Sequence, residues 1–141
     1  MVQIARWLVG FVCLLGVGGF LADFVIWETA RQHMKNPAWL PHAKFHNAQT
    51  MLMGIGLGLL GGLSLFAFRP LTLAGFLIAS GAASLYWISM ILAPLFPGTA
   101  WSDPEFKVAT PRVFGLHPQQ VLAYTAIGIL VLALLLSGLW R

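Results

Sequence analysis

Charged residues are scarce in this chain. Only 9% of its 141 residues are charged, four acidic and eight basic, whereas soluble domains carry about 25%. Hydrophobic residues make up 59% and the mean hydropathy is +0.84, which is more apolar surface than a water-soluble fold of this length can bury. The composition excludes a soluble domain and predicts an integral membrane protein.

Cysteine is almost absent as well. The sequence has one, Cys13, inside an apolar run, which excludes an internal disulfide and a thiolate metal site. A glycine-rich nucleotide loop, a serine-hydrolase elbow and a zinc-protease motif are all missing from the sequence. The basic residues stand singly, as at the borders of a membrane, so we expect lipid and no nucleic acid as a partner.

Four apolar segments, each close to the roughly 20 residues that cross a bilayer, cover most of the chain. They predict spans at about 4–26, 45–68, 71–92 and 121–140. We therefore expect an all-α fold, an integral membrane four-helix bundle that forms a single domain over residues 1–141. The Arg69-Pro70 turn between the second and third spans is tight, so both longer loops lie on the other side of the membrane. Their basic residues favour a cytoplasmic position in a bacterial inner membrane.

The second span carries two kinds of residue on adjoining faces. At about 100° per residue, His42, His46 and Gln49 fall on one face. The adjoining face has glycines four residues apart, which let another helix approach closely. We expect tight packing there, with the third span or in a homo-oligomer, through Gly54, Gly58 and Gly62.

Polar groups also gather at the long-loop ends of the other predicted spans. Asp23 lies just inside the end of the first span, and Glu28 lies at that end. Polar side chains at membrane depth cost free energy unless they are satisfied, so we expect them to converge on one pocket under the long loops. The candidate catalytic residues are His42, His46, Asp23, Glu28, Asn47, Gln49, Tyr86, His117 and Tyr124.

Two kinds of chemistry fit such a pocket. A carboxylate with histidines in an apolar cavity suits proton transfer, because burial and neighbours move pKa values towards neutrality. His42 and His46, four residues apart, can instead bind a metal ion or a haem, with His117 as a further metal ligand. Each group also has a structural alternative, since histidines at helix ends can bond to loops and Asp23 can pair with a base.

The sequence Pro41-His42-Ala43 with Asn47, followed by an apolar helix rich in glycine and methionine, resembles the styrene oxide isomerase family. In that family a histidine at the start of a helix holds haem b in a trimer. The resemblance implies that His42 holds haem b and that Asn47 belongs to the same site. In plan the chain is also similar to the emopamil-binding and sigma-2 receptor-like group, with four spans, an acid near the end of the first, and Pro37-Ala38-Trp39 before the second.

Three functions are therefore expected. The first is a membrane-embedded, isomerase-like enzyme that acts on a lipophilic small molecule, of the epoxide or double-bond isomerisation class. Proton transfer, or assistance from haem or a Lewis acid, would supply its chemistry around His42, His46 and Asp23 or Glu28. The second is a haem- or metal-binding membrane subunit. The third is a noncatalytic membrane protein that binds small molecules or serves assembly, held together by the glycine face.

Overall fold

The long helices begin at residues suited to a helix N-terminus. Pro41 and Pro118 occupy the first turn of their helices, where no backbone N–H is needed. Thr72 precedes a third long helix, and its side-chain oxygen accepts a hydrogen bond from the Gly75 N–H. The computed structural model describes residues 2–67, 69–106 and 112–138. Its helices are α1 (Val2–Leu15), α2 (Gly18–Phe20), α3 (Trp27–Ala30), α4 (Pro41–Phe66), α5 (Leu73–Leu92) and α6 (Pro118–Ser137).

Four stretches of the described residues are long and apolar enough to cross a membrane, namely Val2–Val25, Pro41–Phe66, Leu73–Leu95 and Pro118–Ser137. No β-strand occurs in this part of the chain, so the predicted all-α fold with four long apolar helices is confirmed. The second and fourth helices begin earlier than hydropathy alone predicts. Each includes a proline and a polar first turn that precede its apolar residues. The predicted span ends at residue 68 and at residues 139–140 lie outside the described residues.

The four long helices form a ring in which each contacts the next. α4 packs against α5, α5 against α6, α6 against α1 and α1 against α4. Small side chains let α5 and α6 approach the centre, while Val9, Phe76 and Trp87 fill it. Leucines on the outer faces stay exposed, for example Leu14 and Leu52, as expected of a surface that faces lipid.

The glycine face of α4 packs mainly against the first span of the same chain, and not mainly against the third span as expected. A Cβ atom at Gly58 would overlap the carbonyl oxygen of Cys13, and one at Gly54 would lie 2.8 Å from the carbonyl oxygen of Gly16. A Cβ at Gly62 would meet nothing within 4 Å. The first two glycines therefore serve packing within the chain, and a contact between copies through Gly62 stays a prediction.

Candidate functional site

The first span changes its helical geometry before it ends. Leu21–Val25 forms a π-helical turn in which the Ile26 N–H donates to the Leu21 carbonyl at 2.8 Å. In an α-helix this N–H would donate to the Ala22 carbonyl. That carbonyl instead accepts a hydrogen bond from the Thr29 hydroxyl. Single π turns of this kind are frequent at functional sites. Asp23 lies in this turn.

The carboxylate of Asp23 has a partner on each oxygen. The Asn47 side-chain amide donates to Oδ2 at 2.9 Å, and His33 Nδ1 lies 3.3 Å from Oδ1. His33 Nδ1 is also 3.0 Å from the Thr29 carbonyl. Because a carbonyl can only accept, we infer that Nδ1 carries the hydrogen and that Nε2 is the basic nitrogen of the neutral ring. This is the arrangement in which a carboxylate orients a histidine for proton transfer.

Asp23 borders two cavities. The loop cavity, of about 250 Å³, lies under the second long loop and is also lined by His33, Trp101, Asp103 and His117. The central cavity, of about 660 Å³, lies among the helices and is also lined by the loop residues Trp39 and Thr99. The residues beside Asp23 in its wall include Trp39, His46, Asn47, Tyr86, Trp87 and Gln119. One carboxylate is thus in reach of both a chamber among the helices and a chamber beside the loops.

His117 faces the loop cavity as a neutral histidine. Its side chain is buried, and its Nδ1 atom has no hydrogen-bond partner among the described residues. Burial lowers the pKa of His117, and the neighbouring charge of Arg112 lowers it further. The Gln120 side-chain oxygen accepts from the His117 backbone N–H at 2.8 Å, which fixes the start of α6. The backbone at the start of α6 is therefore fixed, and the buried His117 ring lines the loop cavity.

Tyr86 brings a hydroxyl group to the central cavity. Its ring lies over Gly54, with the nearest ring carbon 3.1 Å from where a Cβ would be, and its hydroxyl lies against Gly19. Among the described residues, no hydrogen-bond partner is found for this hydroxyl or for the Gln119 side chain. Both remain available to a molecule in the cavity.

The remaining predicted site residues lie elsewhere. His42 and His46 contact each other through their Nε2 atoms at 3.1 Å on the exposed side of α4, and His46 alone reaches the rim of the central cavity. Gln49 Oε1 lies 3.3 Å from His46 Nδ1, also on the exposed side. Glu28 is exposed and pairs with Arg31 at 3.6 Å.

Tyr124 faces outward and is 46% exposed, since Ala123 and Ala126 form the inward side of α6. It lines none of the described cavities. Two cavities therefore stand where a single pocket was expected, and His42, Glu28, Gln49 and Tyr124 line neither of them.

Comparison with known proteins gives the family. A model described as Family of unknown function (DUF6640) matches residues 9–138. The chain belongs to this family. The match includes all the residues of the two cavities, so the candidate site lies within the DUF6640 region. No curated protein and no solved structure matches the chain.

A haem or metal site on this DUF6640 chain would have to be built around His42 and His46. No group of three or more His, Cys, Asp or Glu side chains able to hold a metal ion occurs in the described ranges. His42 lines none of the described cavities, and His117 faces the separate loop cavity. His42 and His46 are thus a pair of histidines away from Asp23, and a haem or metal site built on them stays a prediction.

Sequence reasoning missed His33 as a site residue. His33 lies between the first two predicted spans, and the turn that follows α3 carries its ring back to Asp23. The spacing of Thr29 and His33, four residues apart, is a local indication of this turn. The contact with Asp23 depends on the π turn, which the sequence pattern did not indicate.

Proposed function

We propose that this DUF6640 protein is a membrane-embedded enzyme that acts on a lipophilic small molecule by proton transfer, in the manner of an isomerase. The observation that carries the proposal is the position of Asp23. Its carboxylate is held between Asn47 and His33 and borders both the central cavity and the loop cavity. Burial and fixed partners are the usual means by which enzymes prepare a carboxylate for acid–base chemistry.

The two cavities have different roles in this proposal. The substrate occupies the central cavity, where Asp23 takes a proton from one of its carbon atoms and returns a proton to another, so that the isomerisation is proton-neutral overall. His33 stabilises the ionised carboxylate and, through Nε2, exchanges protons on the loop side. Tyr86 donates a hydrogen bond to an oxygen of the substrate, where negative charge develops during the reaction.

The cellular setting belongs to the same proposal. Basic side chains are more numerous on the side of the two long loops, which favours a cytoplasmic position for these loops. We propose that the protein is a multi-pass protein of a bacterial inner membrane and exchanges protons with the cytoplasm.

An isotope experiment tests the reaction even while the product is unidentified. The full chain in lipid nanodiscs is incubated in D₂O with a panel of lipophilic ketones, epoxides and alkenes, and mass spectrometry follows deuterium uptake and rearrangement. Asp23→Asn is expected to lower the rate at least about 100-fold, the lower end for acid–base catalysis. Glu28→Gln, an exposed carboxylate that forms a surface ion pair, is the matched control and should retain the wild-type rate.

His33→Gln gives a second readout. It should lower the rate less than Asp23→Asn and change the pH profile, because the basic nitrogen is lost while a polar group remains. Wild-type exchange that persists unchanged in Asp23→Asn would overturn the proposal. Binding of panel compounds without any exchange would favour the noncatalytic small-molecule-binding function instead.

A further inference from the structure

A crevice between α4 and α5 opens on the outer surface of the bundle. It has a volume of about 540 Å³. Met53 and Leu85 are more than half exposed at its mouth, so it is open sideways and not towards the loops. Its walls are formed by Thr50, Met53, Leu57, Leu85, Ser89 and Met90, with Tyr86 at the inner end.

The crevice lies at the depth of the lipid hydrocarbon. At 1.5 Å per residue, residues 50–57 are roughly 14 to 24 Å along α4 from its start at Pro41, within the ~30 Å core of a bilayer. A molecule that enters here therefore comes from the lipid phase and not from water.

The walls of the crevice offer no free polar group apart from Tyr86. The Thr50 hydroxyl donates to the His46 carbonyl at 3.0 Å, and the Ser89 hydroxyl donates to the Leu85 carbonyl at 2.7 Å. Hydroxyls bonded to their own helix leave a surface that behaves as apolar. The crevice is therefore suited to a hydrocarbon chain or ring.

The crevice adjoins the central cavity. Thr50, Tyr86, Met90 and Ala93 line both spaces. Their volumes lie within the range of about 300 to 1,000 Å³ that is usual for small-molecule sites. A ligand whose apolar part fills the crevice would thus have its other end beside Tyr86 and Asp23.

The polar end of this space selects the kind of head group. Both oxygens of Asp23 already have partners, Asn47 and His33, so the carboxylate is compensated within the chain. The Tyr86 hydroxyl and the Gln119 amide offer donors there for which no partner is found among the described residues. Such donors match an uncharged oxygen acceptor better than an ammonium group.

We infer that the crevice and the central cavity form one binding site for an uncharged lipophile with a single oxygen function, such as an alcohol, a ketone or an epoxide. The molecule enters from the bilayer between α4 and α5, with its oxygen towards Tyr86. The inference rests on the proposed function, because it names the substrate class of the same site.

Photolabelling of the full chain in nanodiscs tests this site. The probe is a long-chain ketone with a diazirine in its chain and a terminal alkyne for detection, and peptide mapping locates the label. Saturable labelling of the peptides that contain Leu57 and Leu85 is expected. Leu57→Trp fills the crevice and should lower this labelling by about tenfold, equivalent to 1.4 kcal/mol of binding.

Leu59→Trp is the matched control, since Leu59 lies on the same helix, is exposed and lines none of the described cavities. It should label like the wild type. Ser89→Phe narrows the crevice from α5 and replaces Leu57→Trp if that variant does not fold. Labelling that is spread over the lipid-facing surface and unchanged in the crevice variants overturns the inference.

Tyr86→Phe tests the orientation of the ligand. Loss of one neutral hydrogen bond should weaken competition by an unlabelled ketone roughly threefold to tenfold, with no effect on a hydrocarbon competitor of the same length. An equal effect on both competitors, or stronger competition by the corresponding amine, contradicts the assignment of the head group.

The result is separable from the proposed reaction. Asp23→Asn should still be photolabelled in the crevice, even though deuterium exchange is lost. Crevice labelling without any exchange in the wild type would overturn the enzyme proposal and keep the binding site. Deuterium exchange that depends on Asp23 but is unchanged in Leu57→Trp would support the enzyme proposal and overturn the proposed route of entry.

Discussion

A carboxylate near the end of a membrane span is costly unless its neighbours compensate it. Asp23 meets this condition with two different partners, since Asn47 donates a hydrogen bond from α4 and His33 approaches from the turn after α3. Loss of either partner leaves a partly buried polar atom unsatisfied, which costs about 1–3 kcal/mol. The compensation also fixes the orientation of the carboxylate between the two cavities.

His117 makes stability depend on pH. Burial and then Arg112 lower its pKa from the ordinary value of 6.5, so the unfolded chain binds a proton more readily than the folded protein. The free energy of unfolding then rises with pH between the lowered pKa and 6.5. The contribution of His117 to stability is lost on acidification through this range. The other titratable groups that line its cavity are Asp23, His33 and Asp103.

We therefore expect the melting temperature in detergent to fall when the pH is lowered from about 7.5 to about 5.5. His117→Gln, which keeps a polar side chain without a titration in this range, should show a smaller fall. Thermal unfolding followed by tryptophan fluorescence over a pH series measures both. Equal slopes of melting temperature against pH in the two proteins would contradict the role of His117.

Part of the site could be predicted from single residues. Asp23, Asn47 and Tyr86 were expected because each places a polar group near the membrane end of an apolar helix. His33 was not, because its position depends on how residues 27–33 turn after the π turn. Tyr124 illustrates the opposite case, since it was expected in the site, whereas the buried alanines of α6 leave it on the outward side.

At the level of elements, close contact between α1 and α4 supports the site. The backbones meet where Gly54 and Gly58 of α4 lie against residues 13–16 of the first span. This contact holds the end of the first span beside Asn47. The sequence predicted a closely packed glycine face with the third span as its partner, whereas Gly58 lies against Cys13 of the first span. A ladder of small residues is compatible with any helix that approaches it.

Gly58→Ala is expected to lower the free energy of unfolding by about 1–3 kcal/mol, as overpacking does. The new Cβ would overlap the Cys13 carbonyl oxygen, a backbone atom that moves only if α1 moves. Gly56→Ala is the control in the same helix, because a Cβ there meets nothing within 4 Å. It should be neutral or stabilising by up to about 1 kcal/mol.

Equilibrium unfolding in mixed detergent measures the two variants. The interpretation fails if both alanines have the same effect, since that would trace the change to helix propensity and not to the contact between α1 and α4.

For the whole molecule, the sequence predicted the number and the lengths of the apolar helices because crossing a bilayer demands about 20 apolar residues. The order of neighbours around the ring was less accessible. This order depends on close contacts between particular residues, such as that of Gly61 with Ala79. Composition alone does not indicate which of these contacts form. The candidate site is a product of this order, because Asp23, Asn47 and Tyr86 come from the first span, α4 and α5, which the ring brings together.

The arrangement of four spans places both long loops on one side. Lys35 and Asp103, exposed in the first and second loops, should react as cysteine variants with a membrane-impermeant maleimide from the same side of the vesicle. Arg69→Cys should react from the other side. Cys13 is buried and is replaced by alanine in the background chain to remove its thiol.

Inverted and right-side-out inner-membrane vesicles distinguish the two sides. Labelling of Lys35→Cys in inverted vesicles would agree with cytoplasmic loops. Reaction of Lys35→Cys and Asp103→Cys from opposite sides would contradict an even number of spans between them.

The π turn at Leu21–Val25 has a consequence for how sequences related to this one should be aligned. A bond from residue i to i+5 accommodates one residue more than an α-helical turn, which is equivalent to a one-residue insertion. Removing it would rotate all that follows by about 100° and separate His33 from Asp23. The length of this segment, and not only the identity of the acid, is therefore a marker that can sort related chains into those that keep the pair and those that have lost it.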